Sequence, residues 1–275
     1  MRTIDSLPVE ILPEKITPPS ELPRISRARL NRTLEESLDS CNSTIIIGRT
    51  GTGKTMLARD FSRLCARRAA WYKVDAPDAE LRVFFRYLCA SVAAARPGFG
   101  RKTLARLGER FGEEDVPQLV EYFVYELLER DEPLLVVVDD LHLVYDAEWV
   151  VPFFRRLLPL LPPEVHLVLI GRSLPPAPLW RMRSKQTLCV IDEPSLAFSP
   201  EEAEHLFESY GLPCWMAQSA LEQTRGRACT LDMRARTAKV NEEAAKLSAS
   251  RDDDRRERNL QLVKGFQRKS SLGTA

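Results

Sequence analysis

The stretch Ser43–Thr55, STIIIGRTGTGKT, constrains this chain more than any other. Thr44-Ile45-Ile46-Ile47 reads as a buried strand, and Met56, Leu57, Phe61, Leu64 and Cys65 recur on one face of a helix. Between strand and helix stands Gly48, then four residues, then Gly53, Lys54 and Thr55. Glycines at 48, 51 and 53 let the backbone turn tightly, so that successive N–H groups point inward. The helix that follows adds unsatisfied N–H groups and the positive end of its dipole. Such a loop, Gly48, Arg49, Thr50, Gly51, Thr52 and Gly53, suits the phosphates of ATP or ADP. Lys54 supplies a mobile charge for the β- and γ-phosphates, and Thr55 offers a hydroxyl to Mg²⁺.

The rest of the chain supplies a sheet domain to hold that loop. Ala69–Val74 is a second strand, ending at Asp75. Leu81, Phe84, Phe85, Leu88 and Val92 define an amphipathic helix that stops before the turn Pro97-Gly98. Residues 98–113 read as a loop with a short helix, and Leu119, Val120, Phe123, Val124, Leu127 and Leu128 give the next helical face. Leu134–Val138 and His166–Ile170 are continuous apolar runs, as in strands buried on both faces of a parallel sheet. Trp149–Leu161 lies between them as helix, and Thr187–Ile191 reads as a last strand. The alternation predicts a three-layer α/β domain with a central, mostly parallel sheet over residues 25–195.

The flanking segments differ in character. Residues 1–24, with five prolines, read as an extended leader, and Ser26 as the cap of a short helix carrying Leu30, Leu34 and Leu38. Ser199-Pro200-Glu201-Glu202 has the spacing of a capping box with proline at the first helical position, opening a small helical domain over 196–247. Residues 248–275 are strongly charged and are expected to form a disordered tail.

Two carboxylates and an arginine complete the chemistry. Asp139 and Asp140 end the 134–138 strand, where ligands bind in open α/β sheets. Asp139 would hold Mg²⁺ opposite Thr55, and Asp140 could orient or deprotonate the attacking water. Arg172 follows the 166–170 strand, where a planar guanidinium can reach γ-phosphate oxygens; Arg181 and Arg183 are alternatives nearby. His142, His166 and His205 have no partners at suggestive spacing and read as structural. Forty basic against 39 acidic residues argue against a uniformly basic nucleic-acid surface. Six scattered cysteines without a CxxC pair, most in apolar stretches, suggest buried free thiols in a reducing cytosol. No apolar run reaches membrane-spanning length and the first residues lack a signal-peptide core, so a cytoplasmic protein is expected.

Taken together the motifs resemble the nucleotide-binding module of MalT-type, LuxR-associated regulators in the STAND class of P-loop ATPases. The resemblance rests on Thr17-Pro18-Pro19 with Ile25–Leu30, on Trp71 with Asp75 and Asp78, and on Val138–Val144 as a DDxH-type segment. It rests also on Leu169–Pro176 as an arginine–diproline segment, Phe198–Ala203, and Thr224–Arg227. It implies a nucleotide switch, closed with ADP and open with ATP, with slow hydrolysis and a protein partner or a second copy bound in the ATP state. It also implies that Arg27 contributes to nucleotide binding. Arg225 and Arg227 depart from the family's acidic residue and tryptophan and look more like the sensor-2 region of an AAA+ lid, such as that of Orc/Cdc6-like ATPases. Lying two positions apart, only one of them could face the site from a helix, and Arg227 is the expected γ-phosphate sensor. The rival reading is an AAA+-like ATPase loading DNA or a protein partner; a third is a non-hydrolysing ATP-binding module. The winged-helix, helical-repeat sensor and helix-turn-helix parts of the family are not among the 275 residues, so no motif of its own supports DNA binding.

Overall fold

The computed structural model describes residues 10–107, 112–180 and 188–248. Its sheet has five strands: β1 (Ser43–Ile47), β2 (Arg68–Lys73), β3 (Leu134–Asp139), β4 (Val165–Gly171) and β5 (Leu188–Ile191). Their order is β2-β3-β4-β1-β5, and every pairing is parallel. Parallel neighbours need crossovers, so helices must cover both faces and the strands can be apolar on both sides.

Alternate residues of each strand feed two cores. Ile45, Tyr72, Val136, Val138 and Leu169 face α3 (Leu81–Ala95), α5 (Val116–Leu128) and α6 (Val150–Leu157). There Phe84 packs against Tyr72, Trp149, Phe153 and Phe154, with ring centroids 4.6 to 6.1 Å apart. Ile46, Trp71, Val137, Val168 and Ile170 face α1 (Ala28–Ser40) and α2 (Lys54–Leu64), meeting Leu30, Leu34, Leu57 and Phe61. The short helices α4 (Arg101–Leu107), α7 (Ala177–Trp180) and α8 (Glu193–Leu196) complete this part.

Several local expectations are revised. Ser26 does not cap α1: Arg27 stands at the cap, and the Ser26 hydroxyl donates to Asp60 on α2 at 2.5 Å. Asp60 also accepts from Asn31 Nδ2 at 2.9 Å, so this buried carboxylate ties α1 to the helix behind the glycine loop. Of the leader, residues 10–24 carry a 3-10 turn, Pro13–Lys15. Lys15 is buried in an ion pair with Asp78 at 2.6 Å, beneath the Tyr87 ring. The leader's first nine residues, Arg181, Arg183, Thr187 and the tail from 249 lie outside the described residues. The helix expected over 149–161 ends as α6 at Leu157 and tightens into the 3-10 turn Leu158–Leu160, because Pro159 cannot donate to the ladder. The cysteines are free thiols, but Cys214 and Cys229 are exposed. Among the described residues no helix is long and apolar enough to cross a membrane.

The chain divides between Ala197 and Phe198 into two compact units. The second opens with α9 (Pro200–Ser209), capped reciprocally as its spacing predicts: Glu202 N–H donates to Ser199 Oγ and Ser199 N–H to Glu202 Oε2. Helix α10 (Cys214–Thr224) follows, then α11 over 228–248. Arg225 and Gly226 both take left-handed backbone angles, φ 51° and 69°. Arg225 therefore closes α10 while Arg227 precedes α11, and the two do not share a helix as the periodicity suggested.

Candidate nucleotide-binding site

The loop between β1 and α2 is shaped by its glycines. A Cβ at Gly48 would lie 2.9 Å from Thr52 Oγ1 and 3.2 Å from a Leu196 methyl, so a larger residue would have to push Thr52 aside. Gly51 and Gly53 sit at φ 82° and 90°, where a side chain would strain the backbone. Thr52 Oγ1 and Lys54 Nζ both donate to the Arg49 carbonyl, at 2.9 and 3.0 Å, which curls the loop around a buried ammonium. Burial lowers the Lys54 pKa; Asp139, Asp140 and Glu193 oppose that shift, and Arg172 adds to it.

Strand order brings the second half of the site from β3. Because β4 lies between β1 and β3, these strands are about 10 Å apart. The start of α2 spans that gap: Thr55 Oγ1 donates to Asp139 Oδ2 at 3.0 Å. Asp139 is buried, and its Oδ1 accepts the Asp140 N–H at 2.9 Å. Burial, reinforced by Asp140, pushes the Asp139 carboxyl up to about 6, against the pull of Thr55 and Lys54. Asp140 takes a left-handed conformation, φ 57°, tolerated by Asp and costing on the order of 1 kcal/mol, which turns the chain sharply out of the strand. Its carboxylate is part-exposed and lies 3.8 Å from His142 Nδ1.

Arg172 is exposed just beyond β4, near enough for its charge to lower the pKa of both Lys54 and His142. Lys54, Thr55, Asp139, Asp140 and Arg172 thus converge at the C-terminal edge of three strands. Arg27 is placed differently. Its buried guanidinium donates to the carbonyls of Leu196 and Ala197 at 2.8 and 2.9 Å, holding the segment that leaves β5. Arg227 is exposed on the second unit.

Two residues of the neighbourhood were not assigned to it from sequence. His142, read as structural, faces Asp140, and its Nδ1 is buried without a hydrogen-bond partner; the only sequence signal was its place in the DDxH segment. Glu193 accepts from Arg49 N–H and Arg49 Nε, each at 2.8 Å. It is 144 residues from the loop and carries no motif, so folding alone could reveal it.

These residues fit a magnesium nucleotide. A Cβ at Gly48 would crowd the cradle at 2.9 Å from Thr52 Oγ1, the ammonium of Lys54 is held at the loop, and the Thr55 hydroxyl sits on the Asp139 carboxylate. A hard cation that takes one or two protein oxygens plus phosphates matches that sparse donor set.

Comparison with known proteins identifies the family of the chain. Residues 25–170 match the model of the AAA ATPase domain. The MalT transcriptional regulator of Yersinia enterocolitica, of the HTH type, is 28% identical over 249 residues, covering 88% of this chain and 27% of the regulator. MalT of Yersinia pestis is 30% identical over 203 residues, covering 72% of this chain and 22% of that protein. The chain therefore spans about a quarter of the length of these relatives. A solved STAND protein with a tetratricopeptide repeat sensor, from Pyrococcus horikoshii, superposes with a TM-score of 0.56 at 16% identity, covering 81% of this chain and 30% of that one. The chain belongs to the AAA ATPase domain family, as a P-loop ATPase module similar to those of the MalT-type STAND regulators.

Proposed function

We propose that the chain is a cytoplasmic Mg-ATP-binding switch with slow hydrolysis, serving signalling or transcriptional regulation. The observation that carries this reading is the convergence of Lys54, Thr55, Asp139, Asp140 and Arg172 around the glycine loop. In it the loop N–H groups and Lys54 bind the phosphates, and Thr55 and Asp139 hold Mg²⁺. The bound ion would neutralise charge on the β- and γ-phosphate oxygens. Asp140 orients the attacking water and accepts its proton at the carboxylate. Arg172 pairs with γ-phosphate oxygens. A switch further requires different affinity of the two nucleotides for its two states. Arg172 and Arg227 are the groups proposed to supply that difference.

Calorimetric titration with Mg-ATP and Mg-ADP, with phosphate release followed alongside, tests the reading. Both nucleotides are expected to bind, with turnover slow and unchanged by DNA. Failure to bind either sinks it, and stimulation by DNA favours a loader instead. Asp140→Asn keeps the shape and removes the charge, so ATP affinity should hold while hydrolysis falls about 10²-fold. Wild-type rates in that variant would remove Asp140 from the chemistry.

The sensor assignment has its own measurement. Arg227→Ala is expected to lower the ratio of ATP to ADP affinity about tenfold, as loss of one charge-assisted bond implies, while ADP affinity holds. Loss of discrimination in Arg225→Ala instead would move the role to the other arginine. An unchanged ratio in both variants would exclude the pair.

A further inference from the structure

Helix α11 is amphipathic twice over. Leu231 and Ala235 are buried within the second unit, with Ala238 and Glu242 half-buried on the same side. On the opposite side Met233, Val240 and Leu247 are 58%, 63% and 65% exposed, although all three are large and apolar. They are spaced seven apart, with the exposed Thr237 and Ala244 between them at four residues after 233 and 240. At 3.6 residues per turn such a stripe drifts only about 20° per heptad, so these five side chains share one narrow face. That is the seam of a helix pair rather than the broad face of a helix lying on a domain.

The charges beside the stripe select the occupant. On one flank stand Arg236 and Glu243, also seven apart; on the other stand Arg234 and Asn241. Arg236 is held in place through its Nε, 2.7 Å from Asp232 and 3.1 Å from Tyr210 Oη, and Glu243 lies 4.0 Å from its own Lys239. Two parallel copies would set Arg236 against Asn241 and leave no ion pair. Two antiparallel copies crossing at Val240 set Arg236 of each against Glu243 of the other, Met233 against Leu247, and Val240 against itself. A two-fold axis satisfies both ion pairs at once.

We propose that the exposed face of α11 binds a second copy of this chain as an antiparallel helix pair centred on Val240. This goes beyond the nucleotide reading and does not depend on it. Two heptads bury far less than the roughly 1,600 Å² of a standard interface, so weak, reversible association is expected.

Sedimentation equilibrium of the full chain without nucleotide, from about 1 to about 500 μM, covers the weak association expected of so small an interface. The wild type should dimerise, and Val240→Asp should weaken association at least about tenfold while circular dichroism shows unchanged helix content. The decisive experiment uses charge reversal. Arg236→Glu and Glu243→Arg should each weaken self-association by placing like charges opposite, whereas a one-to-one mixture of the two variants should dimerise as the wild type does. Only the antiparallel register restores both pairs in the mixture. A monomeric wild type at all concentrations, a mixture no better than its components, or reversals without effect would each overturn the proposal. A monomer would leave the stripe to another segment of the chain or to another protein.

Discussion

Lys54→Ala is expected to abolish or severely weaken ATP binding and to leave the fold standing. The ammonium is buried at the loop and donates to the Arg49 carbonyl. In the proposed complex it would instead make charge-assisted bonds to two phosphates. Bonds to charged groups contribute about 1.5–3 kcal/mol each, so losing two lowers affinity roughly 10²–10⁴-fold. Stability should change little, because burial already disfavours the charged lysine and its removal relieves that cost. Calorimetry and a thermal melt decide the matter together. Retained affinity would remove the loop as the nucleotide site, and a collapsed melt would show Lys54 to be structural.

Asp139→Asn is expected to separate stability from binding. Burial raises the Asp139 carboxyl from its ordinary 3.8 to about 6, so at neutral pH the folded, nucleotide-free protein carries a disfavoured buried charge. One pKa unit corresponds to about 1.4 kcal/mol, so neutralisation should stabilise this form by up to about 3 kcal/mol at pH 7. Mg²⁺-dependent nucleotide affinity should fall in the same variant, since a neutral amide is a poor ligand for a hard cation.

The pH profile carries a second signature. Between 3.8 and about 6 the folded state binds more protons at Asp139 than the unfolded state does, so this group lowers stability as pH rises. His166 acts oppositely. Buried between strands with its Nε2 2.9 Å from Thr44 Oγ1, it is lowered by burial from 6.5 to about 4. Its contribution is full above 6.5 and is lost as pH falls through about 4. The two slopes oppose each other over pH 4–6 in the wild type. In Asp139→Asn the His166 slope is no longer opposed by Asp139, and its contribution should rise with pH by up to about 1.4 kcal/mol per unit across that window. Urea midpoints at half-unit pH steps measure this. An equal slope in both proteins would show that Asp139 titrates normally.

Local patterns determined the main strands and helices of this protein. Ile45–Ile47 and Leu134–Val138 announced buried strands because only a sheet covered on both faces accepts uninterrupted apolar runs. The spacing of Ser199 and Glu202 announced the start of α9 because capping is satisfied within four residues. The glycine loop was legible for the same reason: its conformation depends on which of its own residues lack a Cβ.

What joins distant segments was decided by the tertiary structure. Strand order set β4 between β1 and β3, and so determined which strand ends meet at the loop. Arg27 went to the carbonyls of Leu196 and Ala197, and Glu193 to Arg49. Ser26, a plausible cap in its local sequence, found a stronger charged acceptor in Asp60, 34 residues away. Arg225 and Arg227 were parted by a left-handed break at Arg225 and Gly226 that helical periodicity does not reveal. Hydrogen bonds between residues far apart in the chain depend on which backbones the packed core brings together, and no local pattern encodes that distance.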